Sequence, residues 1–230
     1  MSRVLGIVPA RQGSKGVPGK NMRALAGRPL IDYTAKAALE SGVLDRTILS
    51  TDSEAIADIG RRAGLEVPFL RPADLAKDDT PMLPVLQHAI DAVSADGWVP
   101  DLIVLLQPTS PFRRPSHIRD VVALLRETRA DSVVTVVEVP RHLSPDYVMK
   151  IDAGLLRPFL PEGSRVTRRQ DVRPAYSRDG TAYACWRTTI ERFGTIYGER
   201  CHPLVIDAAD SLSIDSQEDW ANAERRLAAR

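Results

Sequence analysis

Short apolar runs alternate along this chain with longer segments in which apolar positions recur every three to four residues. The runs predict strands at 4–8, 46–50, 65–69, 102–106, 132–137, 181–186 and 203–206. The recurring segments predict amphipathic helices at 30–39, 53–63, 81–93, 116–129 and 217–229. This alternation is typical of a doubly wound α/β fold with a largely parallel sheet, because parallel strands need a crossover between them.

Individual residues add detail to this pattern. The run LIVLL at 102–106 is the most apolar and predicts the central strand. Ser53 is expected to cap the helix at 53–63. Trp220 and Leu227 are expected to face inward from the last helix.

From residue 139 to about residue 180 the alternation stops. This stretch is rich in proline and arginine and contains no long apolar helical pattern. Long segments that interrupt a compact domain in this way usually carry a function or an interface. We therefore treat 139–180 as an insertion within a single domain.

The composition limits the choice of function. The 230 residues include 31 basic and 30 acidic side chains, a net charge of +1, which excludes nucleic-acid binding by bulk positive charge. Cys185 and Cys201 are too few for a disulfide framework or a thiolate zinc cage, and we expect free thiols in a cytoplasmic protein. With no apolar run near the roughly 18 residues of a membrane span, no membrane partner is expected.

A glycine-rich basic loop, ARQGSKGVPGKN at 10–21, directly follows the first predicted strand. Ligands of open α/β sheets bind at the carboxyl ends of the strands, so this loop is in the right place for a site. Its three glycines, Gly13, Gly16 and Gly19, allow the backbone to approach an anion closely. Arg11, Lys15 and Lys20 supply positive charge.

Two familiar phosphate-binding motifs do not fit this loop. A Walker A motif fails because Ser14 replaces its first glycine and Asn21 follows the lysine. The dinucleotide motif GxGxxG fails because the spacing here is GxxGxxG and the loop is basic. Three cations instead favour a highly charged ligand such as a nucleoside triphosphate, with a solvated basic turn as the alternative.

Several segments carry a resemblance over nearly the whole chain. They are PARQGSKGVPGKN at 9–21, LSTD at 49–52, LRPADLA at 70–76, LQPTSPFR at 106–113, RQ at 169–170 with DGTAY at 179–183, and SIDSQEDW at 213–220. Together they resemble the acylneuraminate cytidylyltransferases, the CMP-sialic acid synthetase family. The resemblance implies a Rossmann-like fold of the nucleotide-diphospho-sugar transferase type, with 139–180 as a dimerisation and acceptor-binding arm of a homodimer.

The resemblance also implies an activity. Such enzymes use CTP and Mg²⁺ to convert a 2-keto sugar acid into its CMP derivative, with release of pyrophosphate. The nucleotide would contact Ala10, Arg11, Gly13, Ser14, Lys15, Lys20, Asn21, Arg71, Gln107 and Ser110. The sugar acid would contact Gln107, Arg169, Asp179 and Tyr183. Arg11, Lys20 and Asp215 would be the catalytic residues, because positioning and cations dominate phosphoryl transfer.

Asp215 is our candidate Mg²⁺ ligand, because hard cations prefer carboxylate oxygens and need few of them beside phosphate and water. The alternative is that Asp215 caps the last helix, although Ser216 could do so instead. For Arg71 the alternative is a surface salt bridge.

The sequence departs from the family pattern at two positions. Ser213 stands where the family has the first of two aspartates, so either Asp207 or Asp210 substitutes for it or a single metal ion is used. Asp179 replaces the usual asparagine and would repel a substrate carboxylate unless Arg169 or Arg178 pairs with it. We therefore expect an acceptor that differs from N-acetylneuraminate.

The arginines of the arm fit an acidic substrate. Arg168, Arg169, Arg173 and Arg178 could grip a carboxylate through paired hydrogen bonds, with a solvated basic loop as the alternative. Lys150 is a weaker candidate in the same arm. The four histidines show no metal-binding spacing.

The leading hypothesis is a Mg²⁺-dependent cytidylyltransferase of a nonulosonic or related 2-keto sugar acid. One alternative is a nucleotidyltransferase for another acid, such as a phosphonate, or for another nucleoside triphosphate. A second alternative, suggested by Ser213, is a catalytically weak protein that binds nucleotide sugars.

Overall fold

A computed structural model describes residues 2–161, 168 and 171–229. Its strands are β1 (Val4–Pro9), β2 (Ala24–Leu25), β3 (Arg28–Pro29), β4 (Arg46–Ser50), β5 (Leu102–Leu105), β6 (Ser132–Glu138), β7 (Met149–Asp152), β8 (Leu155–Pro158), β9 (Tyr176–Trp186) and β10 (Cys201–Val205). Its α-helices are α1 (Leu30–Ser41), α2 (Glu54–Arg62), α3 (Met82–Ala95), α4 (Pro115–Thr128), α5 (Arg187–Phe193) and α6 (Gln217–Ala228).

Six of these strands form the central sheet, in the order β10-β6-β9-β5-β1-β4. β1 pairs in parallel with β4 and β5, and β6 pairs in parallel with β10. β9 runs antiparallel between β5 and β6. The predicted α/β class with a mostly parallel sheet is confirmed, and β5 lies in the interior of the sheet as expected.

β1 illustrates why apolar runs become buried strands. Successive side chains point to opposite faces, so Val4 and Val8 join the core formed with α1, α2 and α4. Leu5 and Ile7 join the second core, beneath α3 and α5. A third cluster packs Trp220 of α6 against the segment that follows the glycine-rich loop. The sheet therefore has helices on both faces, and its strand ends are left to form a site.

The sequence predicts every helix from α1 to α4, and α6, to within two residues at each end. It misses α5 and the short pair β2–β3. The predicted strand at 65–69 is wrong, because only Glu66 pairs there, with its carbonyl accepting from Leu49 at 2.8 Å and its N–H donating to Thr47 at 2.9 Å. Pro68 cannot donate to a ladder. Ser53 occupies the N-cap position of α2, but its side chain makes no capping bond.

β9 begins at Tyr176, earlier than the predicted 181, so residues 176–180 of the predicted arm belong to the central sheet. The strand also contains a bulge of several residues. Val136 pairs with Arg178 and Val134 pairs with Tyr183, so residues 179–182 stand opposite Thr135 alone. Bulges re-aim side chains and are frequent beside active sites.

The rest of the insertion carries the hairpin β7–β8, which is separate from the central sheet. Ile151 and Leu156 on this hairpin are 80% and 68% exposed. The dimerisation role of the arm stays a prediction.

Both cysteines are free thiols, as expected, with Cys185 buried and Cys201 exposed. Burial raises the pKa of the Cys185 thiol to about 12, so this thiol stays protonated at neutral pH. In the part of the chain that the structure describes, no helix has both the length and the hydrophobicity needed to cross a bilayer.

Candidate active site

A cavity of about 410 Å³ opens at the carboxyl ends of β1 and β5. Four segments line it: the glycine-rich loop, the stretch from residue 71 to residue 85, the turn at 107–109, and the C-terminal stretch at 213–215. Of the predicted site residues, the lining includes Arg11, Gly13, Ser14, Lys15, Lys20, Asn21, Arg71, Gln107 and Asp215. The fold thus brings together residues from both ends of the chain.

The glycine-rich loop is fastened to the C-terminal stretch. A Cβ at Gly16 would lie 1.8 Å from the carbonyl oxygen of Asp215, so only glycine permits this close approach. The Lys20 ammonium donates to the carbonyl of Ile214 at 2.9 Å and lies 3.1 Å from Asp215 Oδ1. The Asn21 amide donates to the carbonyl of Arg11 at 3.0 Å and closes the loop. These contacts fix the loop and do not involve the side chains of its two outer cations, Arg11 and Lys15.

The outer cations hold an acidic side chain. Arg11 Nη1 lies 2.7 Å from Asp78 Oδ1, and Lys15 Nζ lies 2.9 Å from Asp78 Oδ2. The Lys15 hydrogen bond, helped by the Arg11 charge, lowers the pKa of Asp78 below its ordinary value. Arg11 and Lys15 therefore bind a carboxylate at the position where they are expected to bind phosphate oxygens. Nothing in the sequence pointed to Asp78.

Arg71 is buried, at 6% exposure, so the surface salt-bridge alternative is wrong. Its side chain donates to the Ser50 hydroxyl at 3.0 Å, to the Ser50 carbonyl at 2.5 Å and to the Leu75 carbonyl. Burial lowers the pKa of Arg71 to about 10, against the attraction of Asp52. The guanidinium stays charged at neutral pH and closes the end of β4 beside the cavity.

The turn that follows β5 contains Gln107 and Ser110. Gln107 lines the cavity, and the Ser110 N–H donates to the Gln107 carbonyl at 3.4 Å. Ser110 is 1% exposed, and its hydroxyl finds no hydrogen-bond partner among the described residues. A buried hydroxyl without a partner is costly, so this atom can accept or donate a bond when a ligand arrives.

At the C-terminal stretch, Ser213 Oγ donates to Asp215 Oδ2 at 2.8 Å. Ser216 caps α6 in a reciprocal arrangement with Asp219, so the alternative capping role for Asp215 is wrong. Asp215 is left exposed at the cavity. Within the described ranges, no three His, Cys, Asp or Glu side chains cluster closely enough to hold a metal ion without help.

The two aspartates that might have replaced the missing family aspartate lie elsewhere. Asp210 is buried, and its Oδ2 lies 2.6 Å from Arg114 Nε and 3.6 Å from His117 Nε2. Burial lowers the pKa of His117, although Asp210 opposes this shift. Asp207 accepts from the Ala209 N–H at 2.8 Å and caps a short 3₁₀ turn. Neither side chain lines the cavity.

The predicted acceptor residues on β9 are not part of the cavity lining. Asp179 accepts from the Thr135 hydroxyl at 2.7 Å and from the hydroxyl of Thr181. Arg178, one of the two arginines considered as partners of Asp179, instead bonds to the Tyr197 hydroxyl and stacks on that ring. Tyr183 meets Tyr197 edge-on, and burial raises its pKa. Ala10 is buried behind the loop.

The arm arginines are mostly engaged locally. Arg168 lies 2.8 Å from Asp171, and Arg173 lies 2.5 Å from Asp146. Arg169, the acceptor residue carried over from the family, lies outside the described residues. A gripping role for these arginines stays a prediction.

Sequence reasoning missed Arg113, which is buried at 5% exposure and donates to Gln107, Thr34 and Thr181. The signal that could have pointed to it is its place at the end of the LQPTSPFR segment.

Comparisons with known proteins identify a family and several relatives of this chain. A family model described as cytidylyltransferase matches residues 5–151. A CMP-N,N'-diacetyllegionaminic acid synthase of Legionella pneumophila is 37% identical over 228 residues, which cover 98% of this chain and 96% of that protein. An N-acylneuraminate cytidylyltransferase of Streptococcus agalactiae is 31% identical over 224 residues, 93% of this chain, but this chain spans only about half of that protein, 51%.

Solved structures support the fold. A CMP:2-keto-3-deoxy-manno-octonic acid synthetase complexed with CTP aligns with a TM-score of 0.73 over 99% of both chains at 14% identity. A 4-diphosphocytidyl-2C-methyl-D-erythritol synthase of Anaerococcus prevotii aligns with a TM-score of 0.68 at 15% identity, again over 99% of both chains. From the family model and the relatives of similar sequence, the chain belongs to the cytidylyltransferase family and is a nucleotidyltransferase.

Proposed function

We propose that this enzyme transfers CMP from CTP to the anomeric hydroxyl of a nonulosonic or related 2-keto sugar acid, with Mg²⁺, and releases pyrophosphate. The observation that carries the proposal is the cavity at the end of β1, where Arg11 and Lys15 already hold two carboxylate oxygens. The named relatives act on N,N'-diacetyllegionaminic acid and N-acylneuraminate, which are acids of this class.

The phosphate chain of CTP would lie along the glycine-rich loop. Arg11 and Lys15 would exchange Asp78 for phosphate oxygens, because a polyphosphate carries more charge than one carboxylate. Lys20 is held 3.1 Å from Asp215 and would face the same phosphates from the opposite side. The cations would then stabilise the charge that leaves with pyrophosphate. Arg71 and the buried Ser110 hydroxyl would complete the nucleotide contacts.

A divalent cation fits the donors present. Asp215 offers an exposed carboxylate beside the proposed phosphates, and Mg²⁺ is often bound by one or two carboxylates together with phosphate oxygens and water. When bound, the ion would neutralise phosphate charge. Ser213 contributes a hydroxyl that orients the Asp215 carboxylate at 2.8 Å, which favours a single protein carboxylate from this stretch.

The acceptor would approach the α-phosphorus from the side of Gln107. The Gln107 amide can bond to sugar hydroxyls, and Arg169 and the arm would meet the acid group. The protein's contribution to in-line attack is then to hold the anomeric hydroxyl and the α-phosphate in one geometry.

We also propose that the arm pairs with a second copy of the chain. Most large apolar side chains that are exposed in the described residues belong to this segment: Leu143, Val148, Met149, Ile151, Leu155, Leu156, Phe159 and Tyr176. Exposed apolar clusters of this kind mark interaction sites. Sedimentation should report a dimer that Ile151→Asp with Leu156→Asp dissociates, and a wild-type monomer would contradict this part of the proposal.

The activity is tested by incubation with each of the four nucleoside triphosphates and a panel of sugar acids and phosphonates, followed by pyrophosphate assay and mass analysis of the product. We expect a CMP-sugar acid only from CTP, a nonulosonic or related 2-keto acid, and Mg²⁺. Turnover with GTP alone, or with a phosphonate alone, would overturn the proposal. CTP binding without any turnover would favour the catalytically weak binding protein.

A further inference from the structure

Arg113 joins three separate parts of the fold. Its guanidinium donates to the Thr34 hydroxyl of α1 at 2.7 Å, to the Gln107 carbonyl at 2.6 Å and to the Thr181 carbonyl of β9 at 2.5 Å. The Gly180 carbonyl lies 3.5 Å from the same terminal nitrogen that serves Gln107. Buried at 5% exposure, this side chain has fixed partners and little contact with solvent.

These bonds support the bulge of β9. Residues 179–182 have only Thr135 opposite them, so their backbone groups lie outside the regular ladder. Arg113 takes up the carbonyls of Gly180 and Thr181, and the Thr135 hydroxyl accepts from the Ala182 N–H at 2.9 Å. Side chains therefore replace the backbone pairing that a bulge loses.

Asp179 supplies the charge that this arrangement needs. Burial lowers the pKa of Arg113 to about 9, and the attraction of Asp179 opposes the shift, so the guanidinium stays charged at neutral pH. The Asp179 carboxylate is oriented by the hydroxyls of Thr135 and Thr181 and by the Thr181 N–H at 3.2 Å. A buried cation without a nearby anion is strongly destabilising.

The bulge meets the cavity wall at Gly180. A Cβ at this position would lie 2.9 Å from Gln107 Oε1 and 3.5 Å from Ser110 Oγ. Gly180 has a φ of +81°, which glycine adopts without strain. The bulge and the turn at 107–110 therefore pack as one unit, with Arg113 bonded to both.

We propose that Arg113 is a positioning residue, which locks the turn at 107–110 against the β9 bulge so that Gln107 is held in place for the acceptor. Asp179 acts as the counter-charge of Arg113 and does not contact the acceptor. The proposal rests on the proposed function in one respect, that Gln107 faces the acceptor. It also gives the aspartate that departs from the family pattern a role that needs no substrate.

Three variants test the proposal through kcat and KM for each substrate. Arg113→Lys keeps the charge but loses the planar fork of donors. We expect it to raise the acceptor KM about tenfold and lower kcat by about 10- to 100-fold, while the Kd of CTP stays within about twofold. Thr34→Val removes one Arg113 partner that is not part of the cavity lining, so it should fold and raise the acceptor KM about two- to fivefold. Arg114→Lys is the control, because Arg114 pairs with buried Asp210 and does not contact the turn.

Asp179→Asn decides between the two roles of this carboxylate. If Asp179 is the counter-charge of Arg113, loss of its carboxylate should raise the acceptor KM. As a carboxylate facing the acid of the substrate, its loss should lower the acceptor KM by removing repulsion, and that result would overturn the proposal. Unchanged acceptor kinetics in both Arg113→Lys and Thr34→Val would also overturn it. So would a loss of CTP affinity in these variants as large as the rise in the acceptor KM.

A substrate-free measurement separates this proposal from the proposed function. Melting temperatures of Arg113→Met, Asp179→Asn and the double variant give the coupling between the two charges. The double variant should melt higher than Asp179→Asn alone, because it no longer buries an unbalanced cation. Absence of any CMP-sugar product from the wild type would defeat the proposed function, whereas absence of coupling would defeat the role given to Asp179.

Discussion

Two cationic regions flank the cavity, and they use positive charge in opposite ways. In the glycine-rich loop, Lys15 is 81% exposed and Asp78 is 42% exposed, so their ion pair is easily exchanged. At the turn after β5, Arg113 is 5% exposed, and each of its bonds goes to a fixed part of the fold. Exposed charge that can change partners suits a ligand, whereas buried charge with fixed partners suits a scaffold.

Gly16→Ala should have the largest effect, because the added Cβ would lie 1.8 Å from the Asp215 carbonyl oxygen and would push the C-terminal stretch from the loop. We expect turnover to fall by about 100-fold or more, since displacement of about 1 Å can cost that much. Steady-state kinetics would measure it. Gly13→Ala is the matched variant, because nothing lies within 4 Å of its added Cβ, and its loss should be much smaller. Equal losses in both variants would show that the contact with Asp215 is unimportant.

Lys20→Ala should weaken CTP binding about 10- to 100-fold, because a charge that faces both the proposed phosphates and Asp215 is lost. Its free energy of unfolding should fall by about 1 to 2 kcal/mol, since the largely buried ammonium also loses its bond to the Ile214 carbonyl at 2.9 Å. Calorimetric titration with CTP and thermal melting measure the two effects. Lys36→Ala, which removes an exposed pair with Glu40 on α1, is the control and should leave CTP affinity unchanged. Unchanged CTP affinity in Lys20→Ala would place the phosphates elsewhere.

The sequence was sufficient to single out the residues of the glycine-rich loop as candidates, but it did not single out Arg113 at the turn after β5. The reason is physical. Gly16 and Lys20 stand in a local motif after a buried strand, and the motif itself reports its chemistry. Arg113 gains its role from burial against α1 and β9, where its partners are 79 and 68 residues away in the chain. No local pattern reports such contacts. The partners of Asp179 were not predictable for the same reason, because they come from β6 and from the bulge.

The prediction of secondary structure succeeded in segments with a long periodic pattern and failed in segments with a short one. Helices α1 to α4 each bury one clear face and were found to within two residues. The segment 65–69 is apolar, but it lies outside the edge strand β4 and contains Pro68, which cannot donate a backbone hydrogen bond. Only Glu66 therefore pairs with β4. Asp78 lies between a short 3₁₀ turn at 73–75 and helix α3, in a stretch without periodicity. Its contact with the loop cations therefore needed the three-dimensional structure.

Ser213→Asp should strengthen divalent-cation binding about tenfold or less, because it places a second carboxylate beside Asp215. Without metal the two like charges would repel, so the free energy of unfolding should fall by less than about 1 kcal/mol. Titration with Mn²⁺, followed by magnetic resonance, measures affinity apart from turnover. Ser213→Ala, which only removes the bond to Asp215 at 2.8 Å, is the control. If Ser213→Asp raises kcat by orders of magnitude from a near-inactive wild type, the catalytically weak binding protein becomes the better description.

Asp78→Asn should have the smallest effect and should be the most direct test of exchangeable charge. CTP must displace the Asp78 carboxylate from Arg11 and Lys15, so neutralising it should tighten CTP binding by about threefold, the worth of exposed ion pairs. Because the Lys15 hydrogen bond lowers the pKa of Asp78, the carboxylate stays ionised at neutral pH and the difference should persist until acid protonates it. Asp74→Asn, which lies in the same stretch and pairs with Lys77, should leave CTP affinity unchanged. Weaker CTP binding in Asp78→Asn would mean that this carboxylate belongs to the nucleotide site itself, and the loop cations would then be as fixed in their partners as Arg113.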